Sequence, residues 1–144
     1  MTRIGAMVVV LLSVVGCRKH ASASGPGYNA KREKALFQLA APAMNQCGDL
    51  ATTYEGSVEV NYHLYRVDGC GQRYVSLLHC TGPVCNWREG PEVRASTELG
   101  CPVTQLSRTY VNRVFTVSGC GKQASYQLDH GHLVPVQPGA APTP

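Results

Sequence analysis

Two Gly-Cys-Gly triplets, 50 residues apart, constrain the fold of this chain more than any other feature. The first ends the stretch Tyr65-Arg66-Val67-Asp68-Gly69-Cys70-Gly71. The second ends Phe115-Thr116-Val117-Ser118-Gly119-Cys120-Gly121. Upstream, Ala41-Pro42-Ala43-Met44-Asn45-Gln46-Cys47 aligns with Ala95-Ser96-Thr97-Glu98-Leu99-Gly100-Cys101. Each triplet thus has a partner cysteine about 20 residues before it, and the chain reads as two divergent copies over 30–88 and 91–136. Two copies are too few for a solenoid, so they are expected to pack together within one domain spanning 29–134.

Cys17 stands apart near the N-terminus, and six cysteines remain: Cys47, Cys70, Cys80, Cys85, Cys101 and Cys120. An even set in an exported chain reads as a disulfide framework, with 15 possible pairings. If the copies share geometry, Cys47 pairs with Cys70 and Cys101 with Cys120. Cys80 and Cys85 then close a small loop over Thr81-Gly82-Pro83-Val84, where Gly82 and Pro83 suit a turn. The rival solution joins Cys47 to Cys85 and Cys70 to Cys80. Phe occurs twice and Trp once, so the core is thin and such bridges would support it.

Local patterns predict an α+β fold. Asn29 is positioned to cap one N-terminal helix over 30–41, with Ala35, Leu36, Leu39 and Ala40 on a single face. Pro42 is expected to end it. Val58, Val60, Tyr62 and Leu64 alternate with polar residues, which predicts a half-buried strand with a phase shift at Tyr65 and Val67. Arg73 to Cys80 returns as a second strand. Val111 to Val117 and Gln123 to Leu128 repeat the hairpin, with the glycines beside each cysteine supplying positive φ. The helix is expected to pack on these antiparallel hairpins, stapled by the disulfides. Residues 135–144 read as a disordered Pro-rich tail.

The first seventeen residues read as a targeting segment. Arg3 gives a positive start, and Ile4 to Val15 give an apolar run too short to span a bilayer. Val14-Val15-Gly16-Cys17 resembles the lipobox that closes bacterial lipoprotein signal peptides. That resemblance implies removal of residues 1–16 and acylation of Cys17, followed by a tether through residue 28. It also implies a diacylglyceryl group, often with an N-acyl chain, and hence the bilayer as first partner. In Gram-negative lipoproteins an Asp after the acylated Cys tends to hold the protein at the inner membrane. Arg18 at that place implies the outer membrane.

Residues 41–128 also resemble small cysteine-rich lipoproteins of myxobacterial type, which carry Gly-Cys-Gly hairpins. There a Tyr and often a further Cys follow the triplet. Tyr126 fits that pattern, Leu128 stands where the further Cys would be, and Cys80 is displaced by two residues. The resemblance implies export and disulfides and carries no activity with it.

The remaining chemistry is sparse. The formal charge of +4 falls to +3 once Arg3 is removed, too weak and scattered for a nucleic-acid reader. The nine acids are dispersed, and neither Gly-x-Ser-x-Gly nor His-Glu-x-x-His occurs. Asp129, His130 and His132 are the only local metal candidates, one ligand short of a usual zinc site if the carboxylate is left out. No cofactor is expected. The expected function is a non-catalytic envelope module that binds another envelope protein or a cell-wall glycan. Tyr54, Tyr62, Tyr65, Tyr74, Trp87 and Tyr110 are candidate anchors. The alternative is a small periplasmic metal-binding protein or enzyme using His130 and His132.

Overall fold

The computed structural model describes residues 24–137. Its elements are α1 (Ala30–Ala40), β1 (Ala51–Glu59), β2 (Tyr62–Gly69), β3 (Gln72–Thr81), β4 (Val84–Glu89), α2 (Pro91–Leu99), β5 (Ser107–Val111), β6 (Val114–Gly119), β7 (Lys122–Asp129) and β8 (His132–Pro135). The class is α+β. Strands β1–β4 form one antiparallel sheet in chain order, and β5–β8 form a second. Three disulfides join Cys47 to Cys70, Cys80 to Cys85 and Cys101 to Cys120. The proposed cleavage site and Cys17 lie outside the described residues, as do 138–144 of the tail.

Helix α1 begins where the Asn29 side chain accepts a hydrogen bond from the Arg32 N–H at 3.0 Å. Its buried stripe is narrower than the sequence pattern suggests. Leu36 and Ala40 are fully buried, while Leu39 remains 44% exposed. The second helix was not expected, yet α2 is well punctuated. Pro91 occupies its first turn, and Gly100 ends it in the left-handed region at φ 65°. Only Ala95 and Leu99 supply its buried apolar side chains beyond Pro91, so charged Glu92, Arg94 and Glu98 conceal the stripe.

The strands differ from the sequence reading in their breaks. The alternation from Val58 to Leu64 straddles a turn at Val60-Asn61, and the register shifts lie in β1, around Tyr54–Glu59. The run Val111 to Val117 is likewise split by Asn112 and Arg113, both at positive φ. Pro135, read as tail, ends β8. The Gly-Cys-Gly triplets divide their labour. Cys70-Gly71 and Cys120-Gly121 have both residues at positive φ, the signature of a tight hairpin turn. The first glycine serves a different need from the one expected. A Cβ on Gly69 would lie 2.6 Å from the Asp49 carbonyl oxygen, and one on Gly119 would lie 2.6 Å from that of Gln105. Side-chain-free positions are therefore required where the disulfide draws the incoming chain over the hairpin.

The layers follow from two cores. On one face of the first sheet, Tyr65, Val67, Tyr74 and Leu78 meet Leu36, Ala40 and Met44. On its other face, Leu64, Val75 and Leu77 meet Ala95 and Leu99 of α2 and Phe115, Val117, Tyr126 and Leu128 of the second sheet. Each fully buried side chain of this size contributes about 1.5–3 kcal/mol. Because both faces of the first sheet are covered, β3 is buried continuously from Tyr74 to Leu78, without alternation. The outer face of the second sheet joins neither core. Val114, Ser125 and Gln127 stand there in the places that Leu64, Val75 and Leu77 hold in the first sheet.

An ion cluster centred on half-buried Arg108 ties the two sheets together. Arg108 donates to Glu92 and, at 2.8 Å, to Glu55, which also accepts from Arg66 at 2.9 Å. Glu92 is 7% exposed, and its second oxygen has no hydrogen-bond partner. Burial pushes its carboxyl pKa up, against the pull of Arg108.

Residues 25–28, expected to belong to a tether, instead form a strap across the first sheet. The Tyr65 hydroxyl donates to the Pro26 carbonyl at 3.1 Å, and Tyr28 stacks on Tyr65 with centroids 5.0 Å apart. Gly25 lies against the Tyr54 ring and the Tyr65 hydroxyl. Gly27 has φ +72°, and a Cβ there would lie 2.8 Å from the Cys80 sulfur. Gly27→Ala should therefore destabilise the fold by about 1–3 kcal/mol, read by urea denaturation. An unchanged midpoint would show that the strap contributes nothing.

Candidate functional site

Several grooves open on the surface of the described residues, and two of them hold tyrosine or tryptophan side chains. The first, about 420 Å³, lies between the β1–β2 and β5–β6 turns, where the two halves of the chain meet. Glu59 organises it. Its Oε1 accepts from the Tyr110 hydroxyl at 3.0 Å and from Arg113 Nε at 3.0 Å. Burial and that hydrogen bond push the Tyr110 pKa up to about 12, so the phenol remains a donor at neutral pH. Tyr62 forms another wall and stacks on His79 at 4.4 Å with an interplanar angle of 7°. Burial, then the Glu59 charge, raises its pKa as well. Val60, 90% exposed, stands at the rim.

Aromatic walls beside a fixed carboxylate and a guanidinium suit a polar ligand with a flat apolar face. The arrangement has donors and acceptors but no activated nucleophile. It was not recognisable as a unit in the sequence, because Glu59 and its partners are separated by 51 and 54 residues.

The second groove, about 440 Å³, lies between α1 and the β3–β4 hairpin, lined in part by Lys31, Arg32, Ala35, Val84 and Trp87. Trp87 Nε1 donates to the Arg32 carbonyl at 2.8 Å, and Arg32 Nη2 donates to the Pro83 carbonyl at 3.1 Å. These bonds tie the hairpin tip to the first turn of α1.

A third feature resembles part of a catalytic set and differs in its connections. Ser57 Oγ lies 2.8 Å from His63 Nδ1 and 2.8 Å from the Tyr54 hydroxyl. Burial lowers the His63 pKa, which favours the neutral ring. Its described hydrogen bonds include no carboxylate to orient the imidazole, as nucleophile activation through a triad requires. We read it as a chain of polar contacts that pins the bulged end of β1.

The sequence-derived candidates are dispersed. Tyr65 and Tyr74 are core residues, at 0% and 6% exposure. Tyr54 packs on Tyr65, while Tyr62 and Tyr110 share the first groove and Trp87 lines the second. Asp129 and His132 face each other across the β7–β8 hairpin, and His130 occupies its turn at φ 45°. His130 Nδ1 contacts Asp129 Oδ1 at 2.6 Å, on a side chain that is 93% exposed. Among the described residues, no group of three His, Cys, Asp or Glu side chains could hold a metal ion. No protein-family model, curated protein or solved structure matches this chain.

Proposed function

We propose that this chain is an exported lipoprotein, held to the outer membrane by acyl chains on Cys17, whose body is a non-catalytic binding module. The observation that carries this reading is the use of the cysteines. Six of the seven pair within the described residues, and the one left over follows Val14-Val15-Gly16 at the end of an apolar run. Oxidised pairs belong to an exporting compartment. A single acyl chain anchors marginally, whereas two or three give lasting attachment at about 0.8 kcal/mol per buried methylene.

In this reading the halves 30–88 and 91–136 are divergent copies that share one domain. The corresponding surroundings of Gly69 and Gly119 support that origin. The groove around Glu59, Tyr62 and Tyr110 is the binding surface. Its partner is a cell-wall glycan or another envelope protein presenting a flat, hydroxyl-bearing surface. Intact mass spectrometry of membrane-extracted protein tests the anchoring. The expected species begins at Cys17, carries acyl mass and gains six hydrogens on reduction. An unacylated chain with residues 1–16 retained would overturn the reading.

A further inference from the structure

The strap and the second groove restrict which side of the body could face the bilayer. The chain first packs at Gly25, over Tyr54 and Tyr65, and two residues later Gly27 lies on the Cys80–Cys85 disulfide of the β3–β4 hairpin. Residues 18–24 separate Cys17 from the first packed glycine, Gly25. Even fully extended, that stretch reaches about 25 Å. A body of this length is about 35 Å across, judged from the usual scaling of chain length with radius. An acylated Cys17 therefore cannot present the far side of the molecule to its own membrane.

The near side has matching chemistry. Lys31 and Lys34 are exposed on α1, three residues apart and hence on neighbouring positions of one helix surface. The helix carries Lys31, Arg32 and Lys34 against the single acid Glu33. Across the groove, Pro83 is exposed at the hairpin tip and Val84 is 60% exposed. A lysine lining the groove, a second three residues along the helix and a protruding valine opposite suit an anionic lipid surface, where each lysine is attracted and the valine can enter the headgroup layer.

We propose that the rim formed by Lys31, Lys34, Pro83 and Val84 rests on the anionic headgroups of the bilayer that holds Cys17. The inference depends on the anchoring reading above. It orients the molecule: the rim faces lipid, and the Glu59–Tyr62–Tyr110 groove is left for the partner.

Trp87, the only tryptophan, lines the groove behind this rim and reports on it. The full acylated protein is reconstituted into vesicles of phosphatidylglycerol and phosphatidylcholine containing a headgroup nitroxide lipid. Trp87 fluorescence should be quenched. Reversing both charges, Lys31→Glu with Lys34→Glu, should reduce that quenching by about half or more, as should vesicles of phosphatidylcholine alone. A second variant, Val84→Asp, alters the rim at an exposed site and should act in the same direction. Protein that floats with the vesicles while Trp87 stays unquenched would overturn the proposal and leave anchoring intact. Quenching indifferent to the charge reversal, to Val84→Asp and to lipid charge would also overturn it. Protein that lacks acyl mass and fails to float would overturn the anchoring reading and this one with it.

Discussion

Reduction of the three disulfides should unfold the body of this protein at room temperature. The bridges close separations of 23, 19 and 5 residues. In the chain-entropy account these contribute about 3, 3 and 2 kcal/mol. Their sum, about 8 kcal/mol, is comparable with the whole stability of an ordinary domain, about 5–15 kcal/mol. The sheets bury few large aromatics that could offset such a loss. Circular dichroism with and without a phosphine reductant, with thiols counted in parallel, reads the effect. Paired replacements should separate the contributions. Cys47→Ser with Cys70→Ser, or Cys101→Ser with Cys120→Ser, should each cost more than Cys80→Ser with Cys85→Ser. A cooperative melt unchanged after complete reduction would show that the cores suffice alone.

Replacement of Arg108 by alanine should cost about 3–5 kcal/mol near neutral pH, because it strands buried Glu92 without its cation, while Glu55 keeps Arg66. The pH dependence has a definite sign. The folded-state pKa of Glu92 is already raised by burial and would rise further without Arg108. A carboxyl whose folded pKa exceeds its unfolded value favours folding below the unfolded pKa and loses that contribution as pH climbs through the folded one. The penalty of Arg108→Ala should therefore be largest at neutral pH and shrink as pH falls into the carboxylate range. Urea midpoints for both proteins across that range provide the measurement. A penalty that grows in acid would contradict the assignment of buried charge as its cause.

What was legible in the sequence follows from the range of each interaction. The Gly-Cys-Gly turns announce themselves because a hairpin turn is local, and Asn29 marks α1 by contact with Arg32 three residues on. Helix α2 was obscured because its neighbours bury Glu92 by pairing it with Arg108, sixteen residues away. A charged residue in that place reads as surface until its partner is known. The break at Val60-Asn61 was hidden for another reason, since the two-residue turn reverses the alternation and the bulge between Ser57 and Glu59 reverses it back, so Val58, Tyr62 and Leu64 still share one core. Strand β8 buries only Leu133 and has too little pattern to detect. The first groove is the extreme case. Glu59, Tyr110 and Arg113 come together only when the second half of the chain docks on the first.

The outer face of the second sheet has a consequence for assembly. A body whose one sheet is capped by a helix, and whose other sheet lies bare, offers two different ends. Were both sticky, molecules could thread head to tail without any rotation that closes the series, and such contacts grow into fibres. Ser125 and Gln127, standing where Val75 and Leu77 bind the next layer in the first sheet, make that face a poorer adhesive than its counterpart. That face is not wholly polar, for exposed Val111 and Val134 share one row with Val114 and Gln127, so its polar residues weaken a head-to-tail contact without abolishing it.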